Sequence, residues 1–381
     1  MSRRFLTVAL LLLGQGSLRS LEATQEPARP KLPAQADTND WEAYYDRGAA
    51  ILHRLPNEAD RAFYWASRLN PARAEPPFGR WVAFWLRTGK DWGAYIRGEV
   101  KERDREDVRR AAAWRELAMH RNPLVHRALE ALIWEQLVPG RWRSDVATRG
   151  FLAHAQGRLD DAVQLYARAI ALDPEKYAWV RFSRAAALVS LQRYDSAAGE
   201  LTQLIEHERR TAEASVLPQY ESLELLEYSM ALLYAARNDA RHAREALDRA
   251  LLENLGFYPA RQLLGRLSLA TGDVSGAVRE FQLGVDVKAD DAVLRLDYGR
   301  ALKRARRPDE ALEQLRKAIE LEPYWAEPYL ELATTLDAAG QAAEARTAYT
   351  TFLARAPVSA RSQVAHAEAR LKALAAPETS R

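Results

Sequence analysis

The sequence predicts an all-α solenoid of stacked antiparallel helix pairs with an irregular helical block in front of it. Three observations predict this. An alanine followed four residues later by Tyr, Phe or Leu recurs at Ala162, Ala197, Ala243, Ala277, Ala311 and Ala345, in steps of 35, 46, 34, 34 and 34 residues. A sustained period of that length marks supersecondary units that stack on their neighbours. The chain is rich in Ala, Leu, Arg and Glu, which favour helix, and it has no long run of alternating β-branched residues that would read as a strand.

Aligned segments show how each unit is built. They include "GRLDDAVQLYARAIALDP", "GDVSGAVREFQLGVDVKA", "RPDEALEQLRKAIELEP" and "GQAAEARTAYTTFLARAP". Four residues after each alanine stand Tyr166, Leu201, Leu247, Phe281, Leu315 and Tyr349, and three further on Ala169, Leu204, Ala250, Gly284, Ala318 and Phe352. Steps of four and three lie on one helix face, so these residues predict a buried stripe. The alanine lets a partner helix approach, and the large residue fills the next layer. Pro174, Pro323 and Pro357 stand just past the helices and end them.

These residues resemble tetratricopeptide repeats. Gly150, Gly265 and Gly299 fall where the family places its first-helix glycine, whereas the family's leading Trp is missing from all six units. The resemblance covers 143–359, and "NEADRAFYWASRLNP", with Ala59, Phe63, Ala66 and Pro71, adds a unit near 40–73. It implies a right-handed superhelix whose first helices line a concave face.

Taken in order, the chain opens on Arg3 and Arg4 before an apolar run, Phe5 to Leu13, then small or polar residues. That is the pattern of a secretory signal, and the run is shorter than the span of about 20 residues a membrane helix needs. Residues 1–23 are therefore expected to be a cleaved signal, placing the protein in the periplasm or cell envelope; the alternative is an uncleaved N-terminal anchor. Residues 24–40, with Pro27, Pro30 and Pro33, read as a semi-extended linker. Residues 41–142 form a helical block with one repeat-like unit. Residues 143–359 hold six repeats, and 360–381 a capping helix with a frayed tail. The 46-residue step carries about 12 surplus residues near 206–222, either a longer helix or a loop.

Composition and motifs narrow the function. The formal net charge is +3 with no cysteine. Removing 1–23 leaves 52 basic against 51 acidic residues, no general attraction for nucleic acid. Without cysteine there is no disulfide, thiol or lipidated-cysteine chemistry. The seven histidines show no i, i+4 pair for a metal. No phosphate-loop, nucleophile-elbow or dinucleotide glycine pattern is present. The reading is a chain without catalysis or cofactor.

Eight of the ten tryptophans lie between Trp41 and Trp142. Trp81 and Trp85 share a helix face, which suits either a bulky core or an aromatic shelf for a saccharide.

The resemblance implies that an extended peptide or partner segment binds the concave face. Carried over residue by residue, its inner positions are Phe151, His154, Trp179, Phe182 and Tyr228, then Gln262, Arg266, Arg300, Lys303 and Arg304. An aromatic stretch followed by a basic one suits a partner with apolar residues and acidic or carboxylate groups. The asparagine-rich carboxylate clamp of chaperone-binding members is absent. The alternatives are a structural or oligomerisation scaffold using the convex face, and a saccharide-binding protein using the Trp-rich block.

Overall fold

A computed structural model of the chain describes residues 26–88, 105–137, 145–212 and 222–375, without the side chains of Arg105, 132–137 and Ala212. The expected signal, Trp92 and Trp142 lie outside these residues. Among the described residues there are eighteen helices and no strand.

Six helix pairs form the solenoid expected over 143–359. They are α6 (Val146–Ala155) with α7 (Leu159–Leu172), α8 (Val180–Ser190) with α9 (Tyr194–Ala212), and α10 (Leu223–Ala236) with α11 (Ala240–Glu253). Then follow α12 (Tyr258–Ala270) with α13 (Val274–Val287), α14 (Ala292–Arg304) with α15 (Pro308–Leu321), and α16 (Glu327–Ala338) with α17 (Ala342–Arg355). All six signature alanines are fully buried, as are the large residues four positions on. The first-helix glycine explains the close approach. A Cβ on Gly150 would stand 2.6 Å from the Tyr166 ring, and one on Gly265 2.6 Å from Phe281. Any side chain there would push the pair apart.

The turn inside each pair has its own period. Gly157, Gln192, Asn238, Gly272, Arg306 and Gly340 all have φ between +58° and +84°. Each stands five residues before its alanine, so the left-handed turn repeats in step with the packing signature. The next amide reaches back to close the preceding helix, as in Arg193 N to Leu188 O (2.8 Å) and Arg307 N to Leu302 O (3.0 Å). This is the Schellman closure, which requires a left-handed residue. Part of the surplus near 206–222 is helix: α9 runs 19 residues, against 14 in the other second helices. Residues 213–221 lie outside the described set.

The N-terminal block starts with one more pair, α1 (Trp41–Ile51), capped by Asp40, and α2 (Pro56–Leu69). Ala59, Phe63 and Ala66 are buried in the expected register. Then come α3 (Glu75–Thr88), α4 (Arg105–Arg121) and α5 (Pro123–Leu137). Trp81 and Trp85 are 5% and 7% exposed and pack with Phe78, Phe84 and Trp114. This corrects the saccharide shelf: the pair is core, because the block lacks the small-residue register and fills its volume with indoles. A last helix, α18 (Arg361–Ala375), packs on α17, buries Ala367 and sends Arg370 to Asp337 at 2.7 Å.

Residues 26–40, expected as a linker, are bound down on the far end of the chain. The Trp65 indole donates to Pro27 O (3.0 Å), and Tyr324 donates to Glu26 (2.8 Å). Arg29 lies 4.4 Å over the Trp65 ring. Val358 N donates to Asp37, and Asn39 to Ala354 O. Arg68 meets Glu322 at 2.6 Å. The prolines keep the segment extended, and Trp65 of α2 together with aromatic and loop groups of the C-terminal repeats supply its hydrogen bonds.

Two outcomes check this packing. Ala311→Leu should overpack the α14–α15 contact and lower stability by about 1–3 kcal/mol, read as a urea midpoint. Arg306→Gly should raise it by about 0.5–1 kcal/mol, because a left-handed backbone strains any residue with a Cβ.

Candidate functional site: the concave face

In a regular solenoid each helix meets only near neighbours. Helix α5 breaks that rule. It packs on α6 and also on α8 and α10, the first helices of the next two pairs. It therefore leaves the stack and lies along the inner face. The corner that turns it there is local: Asn122 Oδ1 accepts from Leu124 N and Val125 N, and Pro123 opens α5.

This corner covers most of the aromatic residues expected to line the groove. Phe151 and Phe182 are each 1% exposed, and His154 and Tyr228 are also buried. The Arg127 guanidinium lies 4.8 Å over the Phe182 ring. Leu124 and Ala131 join the core that holds Phe151, Phe182 and Tyr228. Phe151 stacks on the half-buried Trp179 at 5.6 Å, and Tyr228 meets Phe257 edge-on at 5.5 Å. His154 Nδ1 lies 3.4 Å from the Tyr166 hydroxyl. Further along, His120 packs edge-on against Phe257 and Tyr258, and Arg121 meets Asp291, the cap of α14, at 2.8 Å. The sequence pattern points these aromatics to the inner face, but it carries no signal that the chain itself covers them.

The later inner positions are arranged differently. Arg266 bonds Asp297 through Nε (2.8 Å) and Nη2 (2.7 Å), and Gln262 donates to the same carboxylate. Arg300 bonds Glu331 at 2.9 Å and Glu327 at 2.5 Å. Lys303 bonds Glu331 and the Thr334 hydroxyl, and Arg304 reaches Leu269 O. Arg266, Arg300 and Lys303 thus each meet an acid on the next first helix, whereas Arg304 reaches back to a backbone carbonyl on the preceding one. Burial works against the charge of Arg300, but Glu327 and Glu331 outweigh it and raise its pKa. Burial likewise raises Glu331, and Arg300 and Lys303 bring it below the usual carboxylate range. Even so, Arg266, Arg300 and Lys303 keep 47%, 32% and 35% of their side chains exposed. Asp297, Glu327 and Glu331 are the acidic partners of these bases that sequence reasoning missed. A spacing of 31 residues links both Arg266 to Asp297 and Arg300 to Glu331.

A cavity of about 130 Å³ remains at the seam between the block and the C-terminal repeats. Its bases each face a carboxylate: Arg68 with Glu322, Arg121 with Asp291, Lys288 with Asp290, Arg80 with Asp60, and Arg73 with Glu75. It is an electrically balanced seam. Among the described residues no cluster of three metal-ligating side chains occurs, and no helix is long and apolar enough to cross a membrane.

Sequence profiles of the tetratricopeptide repeat match residues 153–216 and 292–335. The chain is a tetratricopeptide-repeat protein. No curated protein sequence matches it. Among solved structures it is similar to YrrB, described as a TPR protein with an unusual peptide-binding site, at 18% identity over 54% of this chain and 97% of that one, TM-score 0.42. It is also similar to the C-terminal part of a TPR repeat-containing protein from Cytophaga hutchinsonii, at 12% identity over 60% and 92%, TM-score 0.48. A third is MamA from Desulfovibrio magneticus, at 16% identity over 47% and 94%, TM-score 0.41. Likenesses at this level carry no information on ligand or partner. As a tetratricopeptide-repeat solenoid, the chain is an interaction scaffold with an extended inner surface.

The buried histidines set the pH dependence. Burial lowers His120 to about 4 and His126 to about 3, and Arg121 and Arg115 work in the same direction; burial alone lowers His154 to about 4. The unfolded chain binds these protons below its ordinary pKa near 6.5, whereas the folded chain resists them. Stability is therefore full above pH 6.5 and falls as pH drops toward 4, by up to about 1.4 kcal/mol per unit for each histidine. Burial raises Glu130, but Arg127 and Arg115 outweigh it and hold it at about 2, so its contribution is lost only in stronger acid. Urea midpoints at pH 7 and pH 5 should differ, and His154→Gln should flatten the slope.

Proposed function

We propose that the chain is a non-catalytic scaffold that binds an extended partner segment with acidic or carboxylate groups. The segment lies along the open part of the concave face, on α12, α14 and α16. The observation that carries this reading is the inner ladder of Arg266, Arg300 and Lys303, held in place by Asp297, Glu327 and Glu331 yet a third to a half exposed. A guanidinium has five donors, so an incoming carboxylate can take over a bond from Glu327 or share the ammonium of Lys303. Charge-assisted contacts contribute about 1.5–3 kcal/mol when desolvated and much less when exposed. Binding should therefore weaken with salt. The pre-formed face keeps the ordering cost on the scaffold side low.

The competition between internal and incoming carboxylates gives the test. With a labelled glutamate-rich peptide as probe, Arg300→Gln with Lys303→Gln should lower affinity by about tenfold, near 1.4 kcal/mol. Glu327→Gln with Glu331→Gln should raise it, because the chain's own competitor is removed. Neutral substitutions are used because a glutamate at 300 or 303 would stand against Glu327 and Glu331. Unchanged affinity in both double variants would favour a scaffold using its convex face. That second reading draws on Leu172, Leu252 and Val287, exposed at the ends of the second helices α7, α11 and α13.

We place this activity in the periplasm or cell envelope, on the strength of Arg3, Arg4 and the apolar run Phe5 to Leu13. Protein isolated from its native host should lack residues 1–23 or close to it. Mass spectrometry finding intact Met1 would contradict cleavage.

A further inference from the structure

The seam between the N-terminal block and the C-terminal repeats is balanced as a whole, but the wall of its cavity is not. Five bases line that wall and only three carboxylates do, because Asp60 and Glu75, the partners of Arg80 and Arg73, stand outside it. Five against three leaves an excess of positive charge around about 130 Å³ of space. Arg68 shows where a donor is still open. Its Nη1 donates to Leu321 O (3.1 Å) and meets Glu322, and its Nη2 lies 3.9 Å from Glu26. Its Nε is buried and has no hydrogen-bond partner among the described residues. A buried N–H without a partner has given up its hydration for nothing, and a neighbouring occupant is one physical reason for such a group to persist.

The rest of the wall is largely apolar and includes Trp114, Pro71, Pro77 and Leu117. The Arg80 guanidinium lies 4.0 Å from the Trp114 ring centroid and 5.2 Å from that of Tyr64, which holds these side chains together. Arg121 fixes another part of the wall, donating from Nε to Pro71 O (2.9 Å) and meeting Asp291 at 2.8 Å. At about 10–15 Å³ for each water-sized group, the cavity has room for roughly ten of them.

We propose that this cavity binds one small organic anion, a carboxylate carried on an apolar aromatic body of about the size of benzoate. The carboxylate accepts from Arg68 Nε, and the body lies against Trp114 and the two prolines. A neutral ligand would leave the excess charge unanswered, and a bare inorganic anion would leave the apolar wall unfilled. The wall is drawn from α2, α3 and α4 on the one hand, and from the segments that enter α14 and leave α15 on the other. An occupant therefore touches both halves of the seam and stabilises its closure by mass action. The site shares no residue with the charged ladder on α12, α14 and α16 and does not depend on it.

The test titrates the full chain with benzoate, and with benzamide as its neutral isostere, by isothermal titration calorimetry. Benzoate should occupy one site per chain, bind at least about tenfold more tightly than benzamide, and weaken as salt rises. Arg68→Gln removes Nε and should lower the affinity by about tenfold. Asp290→Asn takes a carboxylate off the wall and leaves Lys288 without that partner, so it should raise the affinity. Asp290 lies outside every helix, so this second variant decides the matter if Arg68→Gln does not fold. Bound benzoate should also slow hydrogen exchange at residues 288–292. Four results would each overturn the proposal: no saturable binding of benzoate, equal affinity for benzoate and benzamide, inorganic phosphate binding as tightly as benzoate, or unchanged affinity in Asp290→Asn.

Discussion

The whole solenoid depends on how closely the two helices of a pair approach. A glycine on the first helix faces a Tyr, Phe or Leu on the second at a distance no Cβ would tolerate, and a left-handed residue five positions before each alanine turns the chain into that geometry. The left-handed turn recurs in all six pairs; the glycine recurs in three, Gly150, Gly265 and Gly299, and the other three carry the fully buried Ala185, Ala231 and Ala333 at the same place, so the pairs have similar shapes. Identical shapes stacked with a constant rotation must curve. The curvature that makes an inner face is thus a consequence of glycines and turn residues that touch no ligand.

Once an inner face exists, its chemistry decides what happens to it. The first three first helices present Phe151, Phe182 and Tyr228 inward. Aromatic surface of that extent gains from leaving water, and α5 covers it. The later first helices present Arg266, Asp297, Arg300, Lys303 and Glu331. Those groups satisfy one another across neighbouring repeats and have no need of a lid, so that stretch stays open. One superhelix therefore carries two unlike inner zones, one filled from within and one exposed.

The sequence made the fold legible because the repeat is a local code. The alanine, the large residue four on, and the prolines past each helix read directly onto Ala277, Phe281 and Pro323, and all six pairs follow. The site was legible only in part. Phe182 and Tyr228 were placed on the inner face, but an inward aromatic looks the same whether a partner or the chain itself covers it. The intramolecular answer lies in residues 120–131, which keep no repeat register and so carried no positional signal. The bases on α12 and α14 were read as inner-face positions too. Their acidic partners fall one repeat later, and two charges 31 residues apart become neighbours only once the stacking of first helices is known. The Pro-rich segment 26–40 misled for a related reason. Its extended character is a local property, but whether an extended strand floats or docks depends on groups such as Tyr324 and Val358 near the other end of the chain.

These long-range contacts change the physics of the solenoid. A repeat array with nearest-neighbour contacts alone is nearly one-dimensional, and its ends fray first. Here Asn39 bonds Ala354, and Arg68 bonds Glu322 and Leu321 O, so the first pair is tied to the last pairs. Opening the array at one end must then break contacts at both. The ties are mostly hydrogen bonds, ion pairs and stacked rings at the seam, not a shared apolar core. Such contacts fix geometry at modest net energy. The first and last pairs are therefore joined by polar and aromatic contacts, while the small-residue packing within each pair rests on buried alanine and glycine.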